Sequence, residues 1–373
     1  MTKKQMNLRV FAGKDIPQIF FQPRLEPWYA WHKYFNMLPK KYKDMSLLEF
    51  YDELDISMRY VYGYGEMPDP IQKTYTDKVK TKIEGTAEKR LTVVNTPYGD
   101  LITKAQMTVD NVWRVVGFPV KGADDLVKLE WLFENTAYSF NEHNFEKGSE
   151  FIGDRGEPQF WVPPSPYQDL CLDWMRFEDF IYALMDVPEK VEKVMKAIDD
   201  SYDKLYEGII AYRKVKIVNF GENIHAQLTS PRYFEKYHIP FYEKRSNQFR
   251  KAGIYTHIHI DGYFKPLLKY LKYLPFDGLE ALTPIPQGDV SIEEMKEYIG
   301  NKILLDGIPA VLFTPTFTPE ELAICVEKLV DLFYPRLILG ISDEIPEGTD
   351  EGGIEKVKWI SAYCRTREIR KEV

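Results

Sequence analysis

The sequence predicts an α/β protein, a (β/α)8 TIM barrel with an N-terminal β-rich insertion over its mouth. Three observations carry this. Between Val215 and Pro346 one unit recurs five times: a short apolar strand, a polar residue at its carboxyl end, then a helix. The chain has 373 residues, 44% of them hydrophobic and 28% charged, which suits one large core with an insertion. Residues 74–120 break the βα rhythm with β-rich runs separated by turn sequences.

Taken in order, residues 16–23 read as the first buried strand, followed by Arg24, Trp28, Tyr29 and Trp31. Ser46 opens a helix that runs to about Tyr62, with Glu49 at the capping-box spacing. Residues 78–84, 90–95 and 101–108 form an antiparallel meander with turns at 85–88 and 97–100. No Pro/Gly/Ser linker flanks the meander, so residues 1–373 are expected to form a single barrel domain with an insertion at 74–120. Residues 123–134 make an amphipathic helix, 160–164 a short strand, and 177–182 and 188–212 two further helices. In the regular half, helices start at Ser230-Pro231, Ser291 with Glu294, and Thr318-Pro319 with Glu321.

Composition narrows the function. A net charge of −8 and a pI near 5.5 argue against a nucleic-acid partner and against a polyanionic substrate. Cys171, Cys325 and Cys364 form no CxxC pair, which fits a reducing compartment. No apolar run approaches the length of a membrane span, and no signal-type apolar segment follows the N-terminus, so a cytoplasmic protein is expected.

In a closed parallel barrel the strand ends meet at one rim, which here would collect Glu222, His257, His259, Asp261, Glu280, Asp306 and Asp343. His257, His259 and Asp261 stand at i, i+2 and i+4, so an extended strand directs all three to one face. That spacing suits two metal nitrogens, with Glu280 or Asp343 as an oxygen ligand and zinc as the metal; a hydrogen-bonded polar cluster is the alternative. Glu222, after Gly221, is a candidate for acid–base or ligand work or for a supporting carboxylate, and Asp343 ends the last strand. Arg24, Trp28 and Tyr29 suit a carboxylate or phenolate beside a flat ring, or ordinary loop packing with Arg24 in an ion pair. No GxGxxG, P-loop or Gly-x-Ser-x-Gly motif is present.

At Pro97–Leu101, Phe118–Asp125, Gly221-Glu222, Thr256–Gly262, Gly278–Glu280 and Leu339–Pro346 the chain resembles the uroporphyrinogen decarboxylase superfamily, and within it the corrinoid-dependent methyltransferases. The arginine-rich segment of the true decarboxylases is reduced here to Arg24. Where the thiol-methylating branch has His-x-Cys and a further Cys, this chain has His257, His259 and a position near Ser342. The resemblance therefore implies most closely a methyltransferase of O-demethylase systems, with Glu222, His257 and Asp343 as catalytic residues. Its methyl donor would be a methoxylated aromatic, and its acceptor the Co(I) corrinoid of a separate carrier protein. A porphyrinogen-type decarboxylase, a methylcorrinoid:thiol methyltransferase and a non-catalytic binding protein remain alternatives.

Overall fold

The computed structural model describes residues 1–63, 67–109 and 111–367. Residue 110, within the expected 74–120 insertion, therefore lies outside the described residues. The chain divides into two compact units: Met1–Pro70 with Asn141–Val162 and Tyr212–Val373, and Ile71–Phe140 with Pro163–Ala211.

The first unit contains a parallel sheet of seven strands. They are β1 (Phe20–Phe21), β2 (Trp161–Val162), β3 (Ile217–Phe220), β4 (Tyr255–His259), β5 (Gly278–Glu280), β6 (Ile303–Pro309) and β7 (Leu337–Ser342). Their spatial order is β1-β7-β6-β5-β4-β3-β2. Neighbours in sequence are thus neighbours in space from β2 to β7, and the first strand pairs with the last, as a βα-barrel requires. Strands β3, β5, β6 and β7 are buried at every residue, as expected where both faces of a parallel sheet are covered.

Between β1 and β2 stands an irregular segment, residues 57–61. The Ser57 amide donates to Phe21 O at 3.2 Å, and Val61 N donates to Gln159 O at 3.0 Å. Tyr60 and Gln159 form an isolated parallel bridge. Seven laddered strands and one bridging segment thus stand where eight strands were expected. The helix that opens at Ser46 accounts for this: it spans only Leu47–Leu54, because Asp55 turns left-handed at φ 52°. The next residues are left free to run beside the sheet.

The amino ends of the strands pack on an N-terminal helix, Lys3–Phe11, that the sequence reading missed. Met6, Val10 and Phe11 join Phe20, Ile217, Ile303, Leu305 and Ile338 in one apolar cluster. Thr2 and Gln5 close its first turn as a capping box.

The second unit carries the expected meander, with one strand more than expected: Lys80–Gly85, Lys89–Thr96, Gly99–Met107 and Trp113–Gly117. It also pairs Ile71–Tyr75 with Thr136–Phe140, and includes the helices Leu126–Glu134, Phe177–Asp186 and Pro188–Ser201. The helix expected to run from 188 to 212 is divided at Tyr202, with Asp203–Tyr212 following. The second unit is therefore larger than the expected 74–120 segment. Capping at Ser230, Ser291 and Thr318 is as the sequence predicts, each hydroxyl accepting from an amide three residues on.

Candidate active site

The carboxyl ends of the strands surround a buried guanidinium. Arg59, from the bridging segment, is almost fully buried and satisfies all five of its N–H groups. Nε donates to Gln22 Oε1 at 3.1 Å, and Nη2 donates to Asp306 Oδ1 at 2.8 Å and Gln22 O at 3.3 Å. Nη1 donates to Asp306 Oδ2 at 3.2 Å and to Glu280 Oε1. Glu280 also accepts from the Tyr60 hydroxyl and from Asn219 Nδ2, and Asn219 donates to Tyr60 Oη at 2.7 Å. Gly340 makes room for this network: a Cβ there would lie 2.3 Å from Asp306 Oδ1.

Register sets the imidazoles beside the same carboxylate. β4 pairs with β5 so that His257 stands opposite Gly278 and His259 opposite Glu280. The Nδ1 atoms of His257 and His259 lie 3.6 and 3.5 Å from Glu280 Oε2, too far for well-formed hydrogen bonds. Both Nδ1 atoms are buried without a hydrogen-bond partner. Nε2 of His257 donates to Gln159 Oε1 at 2.7 Å, which leaves its Nδ1 as the bare nitrogen. Nε2 of His259 lies 4.0 Å from Asp343 Oδ2.

Nearer solvent, Arg24 pairs with Asp343 through Nη1 and with Glu344 through Nη2 at 2.8 Å. Its guanidinium lies 5.4 and 5.3 Å from the ring centroids of Tyr60 and Trp161, which stack on each other at 3.6 Å. Asp343 and Glu344 keep 40% and 30% of their side chains exposed, so the network opens to solvent at this end.

The two imidazoles diverge in charge. Burial lowers the His257 pKa to about 3 and outweighs the attraction of Glu280, so this ring is neutral. Burial also opposes charge on His259, but the carboxylates of Glu280 and Asp343 overcome it and raise its pKa to about 9. Desolvation works against ionised Glu280 too, yet Arg59 and His259 hold it well below the ordinary carboxylate range. Burial pushes Asp306 up to about 6 despite Arg59, and Glu344 up to about 7 despite Arg24. The centre is thus an imidazolium, His259, against an ionised Glu280. Asp306, in the middle of β6, and Ala281, just after β5, adopt left-handed φ of 74° and 61°, a strained backbone of the kind that collects at functional sites.

Of the residues expected at the rim, His257, His259, Glu280, Asp306, Asp343 and Arg24 meet in this network. Asp261 lies close enough to His259 for their charges to interact. Glu222 is buried with one carboxylate oxygen 4.0 Å from His238 Nδ1. Trp28 and Tyr29 lie in the interior, where Trp28 Nε1 donates to Thr349 O at 2.7 Å and Tyr29 Oη to Met45 O at 2.5 Å. Their rings pack around Phe50, so these two side chains are engaged in packing. The flat surface beside Arg24 is supplied instead by Tyr60 and Trp161. Sequence reading missed Arg59, Tyr60, Gln22 and Trp161. One signal for the first was legible: Arg59 stands alone among Ile56, Met58, Tyr60 and Val61 in an apolar run.

The expected zinc ligands His257, His259 and Glu280 do gather, but they do not fit a metal. Glu280 is already held by Arg59, Tyr60 and Asn219, which leaves its oxygens engaged by three donors from the chain itself. Among the described residues, no group of three or more His, Cys, Asp or Glu is arranged to hold a metal ion.

No family model and no curated protein sequence matches the chain. Among solved structures, a methyltransferase from Methanosarcina mazei superposes with a TM-score of 0.59 at 12% identity, covering 97% of this chain and 98% of that one. A B12-independent methionine synthase from Shewanella sp. W3-18-1 gives 0.46 at 14% identity, covering 92% and 94%. The likeness to the first is one of fold. Among the described residues no helix is long and apolar enough to cross a membrane.

Proposed function

We propose that the protein is a methyltransferase that takes the methyl group of a methoxylated aromatic and passes it to the Co(I) corrinoid of a separate carrier protein. The observation that carries this reading is the geometry at one end of the strands, where Asp343 lies 4.0 Å from His259 Nε2 and pairs with Arg24, which in turn lies against the stacked rings of Tyr60 and Trp161. The fold shared with a methyltransferase over nearly the whole chain supports it.

Demethylating an aryl ether breaks the bond between methyl carbon and oxygen, with both electrons going to oxygen. The chain must hold the ring, support the departing phenolate and protonate it. Trp161, stacked on Tyr60, offers a flat wall, and Tyr62 meets Trp161 edge-on. Arg24 lies against the same rings and places positive charge near a phenolate oxygen. His259 gives its proton to that oxygen, producing the phenol, and Glu280 stabilises the imidazolium until it does. Arg59 keeps Glu280 ionised, so the proton resides on His259. The corrinoid, when bound, supplies the nucleophile that receives the methyl group. The solvent-reaching Asp343 and Glu344 fit a cofactor delivered from outside the chain.

The test is to incubate the protein with reduced carrier and guaiacol-type ethers. Free phenol and methylated carrier should form in equal amounts, and neither should form without the carrier. Carbon dioxide release from uroporphyrinogen, or thiol methylation with no reaction of any ether, would overturn the reading.

A further inference from the structure

Away from the charged network, the first unit has a cavity of about 560 Å³ at the first turns of two neighbouring helices, Pro319–Phe333 and Glu351–Thr366. Its walls are mainly apolar: Phe313, Pro315, Leu322, Ala323 and Trp359. Trp359 remains 40% exposed although it lines the cavity. A volume of this size suits a small organic molecule.

The charged groups select among such molecules. Glu320, Asp350 and Glu355 line the cavity with the ammonium of Lys356; Glu355 is paired with Lys358, so Glu320 and Asp350 are the carboxylates assigned to a ligand. Lys356 Nζ donates to the carbonyls of Leu312, Thr314 and Phe317 at 2.9, 3.0 and 2.9 Å, which uses all three of its protons. The lysine therefore ties down the 312–317 wall and has no proton left for a ligand anion. Asp350 occupies the N-cap position of its helix, yet its side chain makes no capping bond. Trp359, whose ring stacks on Tyr363 at 5.6 Å, together with Asp350 and Glu320, whose charges offset the positive ends of the two helices, favours a cation with an apolar body over an anion.

We propose that this cavity is a binding site for a small organic cation, an aromatic or alkyl ammonium compound, separate from the site assigned to methyl transfer. The apolar body lies against Trp359 and Leu322, and the ammonium faces Asp350 and Glu320.

Three probes of similar shape test it on the full chain: phenethyltrimethylammonium, 2-phenylethanol and 3-phenylpropanoate. Binding is followed by calorimetry and by the indole N–H resonance of Trp359, assigned through Trp359→Phe. The ammonium should bind at least roughly fivefold more tightly than the alcohol, the scale of a cation–π contact of about 1 kcal/mol. The propanoate should bind more weakly than either. Asp350→Asn should reduce the preference for the cation, and Trp359→Ala should abolish it. Both positions are exposed, and circular dichroism checks that each variant is folded. Equal binding of all three probes overturns the proposal. So does an indole resonance that does not move, a Trp359→Ala variant that binds normally, or self-association that buries Trp359 in place of any probe. None of these outcomes depends on methyl transfer.

Discussion

The two ends of the same parallel sheet are built on opposite principles. At the amino ends of the strands, the helix Lys3–Phe11 buries Met6, Val10 and Phe11 against Ile217, Ile303 and Ile338, apolar atoms meeting apolar atoms, while its Asn7 reaches towards the charged end, accepting from Gln22 and Gln159. At the carboxyl ends, Arg59, Glu280, Asp306, His257 and His259 are buried instead. Apolar contact is favourable wherever water is expelled. A buried ion pair must first recover the desolvation of both partners, and well-packed hydrophobic side chains often do as well or better. The charged end is thus the part of the sheet that stability alone does not explain. The difference argues that the strands are held by one end and used at the other.

Breaking each end separately gives the largest expected effects. Arg59→Ala leaves Glu280 and Asp306 buried without their cation, and should destabilise the protein by about 3–5 kcal/mol in denaturant unfolding. Replacing all three together, Arg59→Met with Glu280→Met and Asp306→Asn, should recover only part of that stability, because Gln22, Tyr60 and Asn219 lose their partners, while activity stays lost. At the other end Met6→Ala should cost about 2–5 kcal/mol and leave the activity of each folded molecule intact. Equal loss of activity per folded molecule at both ends would remove the distinction.

The two ends also differ in how legible they were. The strands β3 to β7 are legible as short, largely apolar runs with polar residues towards their carboxyl ends, a signal that is local and repeated. His257, His259 and Glu280 followed from the same signal, because strand period and parallel register together fix which side chains meet. Arg59 and Tyr60 could not be placed this way. They lie in an irregular segment that the helix expected from Ser46 to about Tyr62 would cover, whereas the left-handed Asp55 ends that helix at Leu54. Trp28 and Tyr29 were placed beside a ligand for a related reason: an aromatic next to a strand end looks alike in sequence whether it faces a pocket or the core. Only the tertiary partners Phe50, Met45 and Thr349 decide.

A smaller effect isolates the imidazolium. His259→Gln keeps a polar side chain of similar size but cannot give up a proton, so activity should fall by roughly 100-fold or more. The pH dependence has a defined sign. His259 rises from an ordinary value of 6.5 to about 9 in the folded protein. Its contribution to stability is therefore complete below pH 6.5 and lost as pH rises towards 9. Wild-type stability should decline across that window more steeply than that of His259→Gln, and activity should fall above about pH 9. A wild type and variant with parallel stability profiles would show that the buried imidazole is neutral.

The smallest expected effect is that of a chelator. A metal at Nδ1 of His259 requires that nitrogen to be deprotonated, so metal and proton compete for one site. With a pKa of about 9, the proton is favoured at neutral pH. Glu280, whose Oε2 lies within 3.6 Å of both Nδ1 atoms, is already engaged by Arg59, Tyr60 and Asn219. Dialysis against a chelator should therefore leave the melting temperature, the slope of stability between pH 6.5 and 9 and the activity with reduced carrier unchanged. Elemental analysis decides the matter independently. One zinc per chain, lost from His257→Ala and His259→Ala, would mean that the charge at this end of the sheet is balanced by a metal. The comparison between the two ends would then survive, with the proton on His259 replaced by an ion.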